Sequence, residues 1–536
     1  MPTITVDGQQ IEAEPNETIL QACLNAGLEL PHYCYHPGLS IVASCRICLA
    51  EVEGVPKLLP TCQTPVREGM VVHTNSPKSV ANQKQVMEYL LVNHPLDCPV
   101  CDQAGECLLQ DYSYEYGRSQ SRFEEDKGKK PKKIVGKNVM LYNDRCIMCT
   151  RCVRFTREVS GEGELMVLGR GSTEQIDIYP GKPLDNKLSG NVVDLCPVGA
   201  LLDRDFLFKQ RVWLLKNAKS ISPADAGGEN VYLQHNEGVI YRVKPRFNKD
   251  VNQWWISDDT RYSFKPVHSD DRLRTAMVKD KGILEPAAPG DALDAAMNGL
   301  KQAAESHGNG SLFAVLSPML ATEEAYLLAT LVRSLDPDAT LIVGPVPTTG
   351  EDETFKHYLT GEETFRIQAE KVPNRRGVER VLDLLGGARG TWESLADPSM
   401  SGKLKAGWVT GGYLDRWVGT DTLPALLKDA FTVVSDFLPN AAADAADVFI
   451  PAATWAEKSG TWENHAGKVQ PFEAAIDVLP GSVIEGDVFA RLLDRGDYSD
   501  AAIREELAEK DEVFRDVAFT DAGAEAEVSP FEFAEL

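Results

Sequence analysis

The last 340 residues of this 536-residue chain contain no cysteine, because all twelve cysteines lie between Cys23 and Cys196. A cysteine-ligated metal centre is therefore excluded from the longer, C-terminal part. Clustered C-x-x-C spacings in a large chain are typical of metal binding, whereas disulfide scaffolds occur in short secreted proteins. The chain divides into a ligand-bearing N-terminal part and a cysteine-free remainder.

Long hydrophobic runs and a basic leader are also missing. No stretch of eighteen apolar residues occurs, although a membrane-spanning helix needs about that many. The N-terminus, MPTITVDGQQIEAEPNETI, is acidic where a signal or transit peptide would be basic. We expect a chain that starts near Met1, remains in the cytoplasm and does not insert directly into a membrane.

Positive charge is scarce. The formal net charge is −25, and residues 1–214 hold 23 basic and 27 acidic side chains, so most of the excess lies later. This disfavours nucleic acid as a partner. The one basic run has six lysines between Lys127 and Lys137, and it is either a solvated linker or a docking site for an acidic partner.

Apolar residues make up 43% of the chain, enough for several domains. At the N-terminus we predict a hairpin, 3–6 and 10–13, and a helix, 17–25, capped by Asn16. A second helix, 79–92, should end just before His94. Beyond residue 230 we predict a hairpin around Asn236-Glu237-Gly238 and then alternating strands and helices, which favour a parallel α/β sheet.

The first cysteine set is Cys34, Cys45, Cys48 and Cys62, spaced C-x10-C-x2-C-x13-C. Four thiolates, two per iron, are what a [2Fe-2S] cluster requires. Structural zinc also uses C-x2-C, but it usually takes two such pairs and this set has one. We interpret the nearby Cys23 as a packed core thiol.

The second set is His94, Cys98, Cys101 and Cys107, with Gly105 allowing a tight turn. A neutral imidazole in place of a thiolate removes one negative charge, which should raise the potential of a cluster, as in the Rieske centre. Taken alone, one histidine and three cysteines fit zinc as well as a [4Fe-4S] cluster.

The third set is Cys146, Cys149, Cys152 and the remote Cys196, which precedes a proline. This is the bacterial ferredoxin pattern for [4Fe-4S]. Four thiolates make this site more negative than the second, so the two potentials should differ. Four arginines flank the loop: Arg145, Arg151, Arg154 and Arg157. They either offset an anionic cluster or are ordinary surface residues.

In this order and with these spacings, the three sets resemble the large iron-sulfur subunit of NADH:quinone oxidoreductase, respiratory complex I. The resemblance covers roughly residues 1–214. It is carried by the segments HYCYHPGLSIVASCRICLAEVE, LVNHPLDCPVCDQAGECLLQDYSYEYG, DRCIMCTRCVRF and NVVDLCPVGAL.

The resemblance implies one [2Fe-2S] and two [4Fe-4S] clusters in a relay without a catalytic centre of its own. Electrons from NADH would come from a flavin-bearing subunit and pass the [2Fe-2S], the four-cysteine and then the histidine-ligated cluster. They would leave to another iron-sulfur subunit of the peripheral arm. The expected location is the cytoplasmic face of a bacterial inner membrane.

Beyond residue 214 the segments VNQWWISDDTRYSF and ADVFIPAATWAEKSGTWENHAGKVQPF resemble molybdopterin oxidoreductases more weakly. Catalytic members would carry further cluster cysteines near residues 221–230, where this chain reads ISPADAGGEN. We expect no molybdopterin and no fourth cluster. Five residues are then expected to be structural: Trp455, Glu457, Lys458, Thr461 and Asn464.

The expected fold is multidomain, α+β and α/β. It has an N-terminal β-grasp ferredoxin-like domain, small helical and loop modules that bind clusters, and a C-terminal parallel α/β region like that of molybdopterin oxidoreductases. The expected boundaries are 1–78 for the [2Fe-2S] domain, 79–118 and 119–214 for the two [4Fe-4S] modules, 215–272 for a cysteine-free domain, 273–499 for the α/β region and 500–536 for a solvated acidic tail.

Three alternatives remain. The same modules can serve a soluble NAD-linked hydrogenase or formate dehydrogenase, although soluble hydrogenase diaphorase subunits usually carry two further C-x2-C-x2-C sets. An iron-iron hydrogenase is excluded, because residues 197–536 lack the cysteines that its catalytic cluster needs. The others are an active molybdopterin enzyme and a zinc-stabilised interaction protein.

Overall fold

The computed structural model describes residues 1–519, and the chain begins with a small mixed sheet. Its elements are β1 (Thr3–Val6), β2 (Gln9–Glu12), α1 (Ile19–Asn25), β3 (Leu49–Val52), β4 (Leu59–Pro60) and β5 (Val71–His73). The strand order is β2-β1-β5-β3-β4, and β1 pairs with β5 in parallel. The predicted hairpin is confirmed, and its Asp7-Gly8 turn has positive φ at both residues, as a two-residue hairpin requires.

The predicted cap of α1 is wrong. Thr18, not Asn16, caps this helix, because the Thr18 hydroxyl accepts the backbone N–H of Gln21 while the Gln21 side chain reaches back to the Thr18 N–H. This reciprocal pair satisfies two N–H groups that the first turn leaves free. Asn16 instead lies in the preceding turn with φ of 72°.

The next region carries most of the predicted ligands on loops between short elements. These elements are α2 (Pro77–Val92), α3 (Leu108–Glu115), β6 (Lys132–Ile134), β7 (Val139–Tyr142), α4 (Arg151–Glu158), β8 (Leu165–Leu168), β9 (Gln175–Ile178), α5 (Asn191–Leu195) and β10 (Leu201–Asp203). As predicted, α2 ends just before His94. The order β10-β7-β6 forms one sheet, and β8 pairs with β9.

The lysine-rich run is neither a free linker nor a separate patch. Lys127 donates to the carbonyls of Leu91 and Val92 at 2.8 and 3.0 Å, which satisfies the end of α2. Lys133 forms an ion pair with Asp177. Part of the run is strand β6, so it is built into the fold of the cluster region.

A three-stranded antiparallel sheet follows, and its hairpin turns at the predicted Asn236-Glu237-Gly238. Its elements are β11 (Lys216–Ile221), β12 (Asn230–Asn236), β13 (Val239–Pro245) and the short helix α6 (Asp258–Arg261). Arg242 and Lys244 on β13 bind Glu106 at 2.8 and 3.0 Å. Burial alone would raise the pKa of Glu106, but the two cations lower it to about 2. This sheet is therefore anchored beside the predicted ligand Cys107.

The largest part of the chain forms an eight-stranded sheet. Its elements, with two flanking hairpins, are β14 (Met277–Asp280), β15 (Ile283–Pro286), α7 (Pro289–His307), β16 (Leu312–Leu316), α8 (Thr322–Leu335), β17 (Thr340–Val343), β18 (Glu353–Lys356), β19 (Glu363–Ile367), α9 (Arg375–Leu385), β20 (Arg389–Thr391), α10 (Pro398–Ser401), β21 (Ala406–Thr410), α11 (Leu426–Asp429), β22 (Phe431–Asp436), α12 (Ala441–Ala445), β23 (Val448–Pro451), β24 (Gly460–Glu463), β25 (Val469–Phe472), α13 (Glu485–Leu492) and α14 (Asp500–Lys510).

The order of this sheet is β15-β14-β23-β22-β21-β16-β17-β20, and the six strands from β23 to β20 are parallel. Every residue of β16 is buried. Leu312, Ala314 and Leu316 pack into one core, whereas Phe313 and Val315 pack into another. Strands covered on both faces read as continuous apolar runs, which is why these strands could be predicted from sequence.

The expected acidic tail does not begin at residue 500. Residues 500–510 form α14, whose Ile503 and Leu507 are buried against the α/β core, and Arg504 reaches the buried Glu323 at 3.5 Å. The acidic residues occupy the outer side of an amphipathic helix, so composition alone concealed it. The remainder of the expected tail, 520–536, lies outside the described residues. Across residues 1–519, no helix has the length and apolar character of a membrane span.

Candidate iron-sulfur sites

The first cysteine set meets at one place. Cys34 and the Cys45–Cys48 pair lie on a long loop before β3, and Cys62 follows β4. Hydrogen bonds from the thiols of Cys45 and Cys62 lower the pKa of Cys34, and a hydrogen bond from Cys62 lowers that of Cys48 to about 7. All four predicted ligands are therefore neighbours. Cys23 is fully buried among apolar side chains, and burial raises its pKa to about 12.

The third set surrounds a cavity. Its walls hold the side chains of all four predicted ligands, and the remaining lining is mostly apolar, including Leu141, Ile147, Ile176 and Val198. The loop bends sharply between its cysteines, because Met148 and Thr150 both have positive φ, of 55° and 60°. Non-glycine residues adopt this conformation rarely, so two in three positions mark a loop held in shape by its surroundings.

Backbone N–H groups point at the sulfurs of this set. The Met148 N–H donates to Cys146 Sγ at 3.4 Å. The N–H groups of Val198, Ala200 and Leu201 act on Cys196 and oppose the rise of its pKa, although burial dominates and raises it to about 11. Such donors stabilise thiolates over thiols. The chemistry of this donor set fits a bound [4Fe-4S] cluster.

The second set is less enclosed. His94, Cys98 and Cys107 line one cavity beside α2 and α3. Cys101 does not line it, but its thiol interacts electrostatically with those of Cys98 and Cys107. Burial, with the charges of Arg145 and Lys127 adding to it, lowers the pKa of His94 to about 4. The imidazole is therefore neutral at pH 7, which is the form that binds iron.

The second and third sets are in direct contact through Gly199. A Cβ at this position would lie 2.2 Å from Cys101 Sγ, so only glycine leaves room for that thiol. Arg145 joins the same two loops, because its guanidinium binds Asp97 at 2.8 Å and donates to the Gly199 carbonyl at 3.4 Å. Asp97 precedes Cys98, and Arg145 precedes Cys146. The two candidate sites therefore share a wall.

The arginines beside the third set are not ordinary surface residues. Arg145, Arg151 and Arg154 are only 2, 5 and 8% exposed, while Arg157 is exposed. The sequence left both interpretations open, and it did not indicate the role of Gly199. The signal available was the spacing of Arg151, Arg154 and Arg157 directly after the cysteine loop. Within residues 1–519, no three His, Cys, Asp or Glu side chains are placed to hold a single metal ion.

Five family models match consecutive parts of the chain. They are "2Fe-2S iron-sulfur cluster binding domain" at 1–77, "NADH-ubiquinone oxidoreductase-G iron-sulfur binding region" at 83–122, "NADH-quinone oxidoreductase subunit 3, ferredoxin-like domain" at 136–202, "NADH-ubiquinone oxidoreductase NDSU1/NuoG-like, 4Fe-4S domain" at 215–265 and "Molybdopterin oxidoreductase" at 397–481. The first three enclose the three candidate sites in order.

The NuoG-type subunit of NADH-quinone oxidoreductase from Rickettsia conorii is 30% identical to this chain over 585 residues, covering 91% of this chain and 86% of the relative. The chain belongs to the NuoG family. The counterpart from Rickettsia felis is 38% identical over 335 residues, but that match spans only 49% of the relative's length. A chain of an NAD+-reducing [NiFe]-hydrogenase structure matches with 29% identity and a TM-score of 0.35, over 39% of this chain and 91% of that one.

Membership of the NuoG family confirms the resemblance expected from the cysteine spacing. The matches also confirm a mixed α/β multidomain chain with [2Fe-2S] and [4Fe-4S] binding domains and a molybdopterin-oxidoreductase-like part. The model matched at 215–265 describes a 4Fe-4S domain, yet this segment contains no cysteine. It therefore lacks the thiolates that such a cluster takes.

Proposed function

We propose that this chain is the iron-sulfur electron-transfer subunit of an NADH:quinone oxidoreductase, with no catalytic centre of its own. The observation that carries the proposal is the cavity walled by Cys146, Cys149, Cys152 and Cys196, which fits four-thiolate ligation of a [4Fe-4S] cluster. The order of the three cluster-domain matches along the chain supports the same assignment.

Twelve residues are proposed as ligands, in a β-grasp [2Fe-2S] domain and two [4Fe-4S] modules. They are Cys34, Cys45, Cys48 and Cys62 for [2Fe-2S], His94, Cys98, Cys101 and Cys107 for one [4Fe-4S], and Cys146, Cys149, Cys152 and Cys196 for the other. Bound clusters would supply outer-sphere electron transfer. The protein's own part is to hold the thiolates ionised through backbone N–H groups, to keep His94 neutral and to exclude water from the third set.

The relay is proposed to run from the first set through the third to the second. The contact between Gly199 and Cys101 supports this order, because it joins the third set to the second. At the second set Cys98 is exposed, and its neighbours Leu96 and Val100 are 87 and 57% exposed. Exposed apolar side chains of this kind favour a protein contact. We assign this face to the next iron-sulfur subunit of the peripheral arm.

The other partner is proposed to be a flavin-bearing, NADH-oxidising subunit, and the location the cytoplasmic face of a bacterial inner membrane. The α/β region is proposed to be a scaffold without molybdopterin. Its motif residues are bound within the protein: Glu457 binds Arg272 at 2.8 Å, and Lys458 binds Glu324 at 2.6 Å, with all four buried. Charges paired in this way support the fold rather than face a ligand.

The test is elemental analysis of the anaerobically purified complex, with mass spectrometry of its subunits. We expect about ten iron atoms per chain with matching sulfide, no molybdenum, and [2Fe-2S] and [4Fe-4S] signals in electron paramagnetic resonance that NADH develops. Zinc without iron or sulfide would refute the proposal in favour of an interaction protein. Near-stoichiometric molybdenum, or co-purifying hydrogenase or formate dehydrogenase subunits, would replace it with one of those enzymes.

A further inference from the structure

One face of α4 grips the loop that carries the first predicted [2Fe-2S] ligand. Arg151, Arg154 and Glu158 are spaced i, i+3 and i+7, so their side chains project from the same side of the helix. All three bind residues between Cys34 and Ser40. The helix itself begins two residues after Cys149, so it ties the first and third candidate sites together.

The outer contacts of this clamp fix the loop at two points. The Arg151 guanidinium donates to the Tyr35 carbonyl and, at 3.4 Å, to the Leu195 carbonyl. The Glu158 carboxylate accepts the Ser40 backbone N–H at 2.8 Å and the Ser40 hydroxyl at 2.5 Å. These bonds join chain segments more than a hundred residues apart, so the loop is positioned by α4 rather than by its own sequence.

The central contact links ligands of two sets. Arg154 Nη1 donates to the Ser40 carbonyl, while Nη2 donates both to the Cys34 carbonyl and, at 3.4 Å, to the Cys149 carbonyl. A single nitrogen therefore connects the main chain of a first-set ligand to that of a third-set ligand. No side chain other than the guanidinium is needed to complete this bridge.

The charge of Arg154 also calls for a negative neighbour. Its side chain is 8% exposed, and within residues 1–519 its hydrogen-bond acceptors are all neutral carbonyls. Burial lowers its pKa, opposed most by the charges of Cys149 and Cys34. An arginine remains protonated in proteins, and a buried charge is costly unless an opposite charge compensates it. The thiolates of these two sets provide that compensation.

We propose that Arg154 is the positioning residue between the first and third sites. It fixes their separation through the carbonyl bridge, and its positive charge favours the reduced state of groups bound at either site, because one-electron reduction adds a negative charge. This inference rests on the proposed function. It assigns a role to a side chain that ligates nothing.

The test compares Arg154→Met, Arg154→Lys and the control Arg157→Met in the full-length subunit within its complex. For Arg154→Met we expect the reduction equilibrium of both clusters to fall about tenfold, which is about 59 mV for a one-electron couple. The magnetic interaction between their signals should also weaken. Arg154→Lys keeps the charge but cannot donate to three carbonyls at once, so the potentials should hold while the interaction changes. Arg157→Met should change neither.

Iron content separates the outcomes. Unchanged potentials and an unchanged magnetic interaction in a fully loaded Arg154→Met protein would overturn the inference. If that variant does not load, loss of about six iron atoms, those of the two clamped sites, supports the clamp, whereas loss from all three sites indicates general misfolding and refutes a local role. Absence of the [2Fe-2S] signal in the unaltered protein would refute the proposed function instead.

Discussion

Gly199→Ala should damage one candidate site selectively. A Cβ at this position would lie 2.2 Å from Cys101 Sγ and 3.3 Å from Gln103 Cβ. Since non-bonded heavy atoms pack at about 3.5 Å or more, the Cys101 thiol would have to move by about 1.3 Å. Gly199 belongs to the loop of Cys196, but the atom that must yield belongs to the second set.

The magnitude follows from the cost of overpacking. Inserting a methyl group into a closely packed site costs about 1–3 kcal/mol, and each 1.4 kcal/mol is about tenfold in an equilibrium constant. Assembly of the second site should therefore weaken by about ten- to a hundredfold. We expect the iron content to fall from about ten atoms towards six, with the histidine-ligated [4Fe-4S] signal lost and the [2Fe-2S] signal kept.

The assay is iron and sulfide analysis with electron paramagnetic resonance on the anaerobically purified complex. Gly290→Ala is the matched control, because nothing lies within 4 Å of its new Cβ, and it should retain all three signals. A Gly199→Ala protein with full iron and an unaltered second [4Fe-4S] spectrum would refute the proposed packing. Loss of the [2Fe-2S] signal as well would show that the damage is not local.

Three further predictions follow from the same contacts. His94→Cys should lower the potential of its cluster in a redox titration, since a thiolate adds negative charge; an equal or higher potential would argue against His94 as a ligand. Cys146→Ala should remove one [4Fe-4S] resonance and leave that of [2Fe-2S], and joint loss would contradict independent sites. Burial raises the pKa of Glu229 from 4.5 to about 8, so the native state holds a proton that the unfolded chain releases, and the free energy of unfolding should decrease as pH rises from about 4.5 to about 8. Urea unfolding across this range should show a flatter decrease for Glu229→Gln, and equal slopes would contradict the shift.

Much of the local structure was readable from sequence. Turn residues located both predicted hairpins, and apolar spacing with a following proline located α2 and hence His94. The buried strands of the α/β sheet were visible as short apolar runs. The cap of α1 was misassigned because Asn16 and Thr18 are both favourable caps, and only the reciprocal bond with Gln21 distinguishes them.

Other features depend on contacts that no local pattern encodes. The burial of Arg151 and Arg154 requires the loop of Cys34 to pack on α4, more than a hundred residues away. Acidic composition concealed α14, because its few apolar residues find their partners only in the folded sheet.

The sequence by itself determined which side chains could bind iron, because a C-x2-C loop presents its thiols through local backbone geometry. The tertiary structure decided which groups meet: Cys62 joining its distant partners, Gly199 against Cys101, and Arg154 between two ligand loops. These depend on the packing of segments far apart in the chain, and packing is a property of the whole fold.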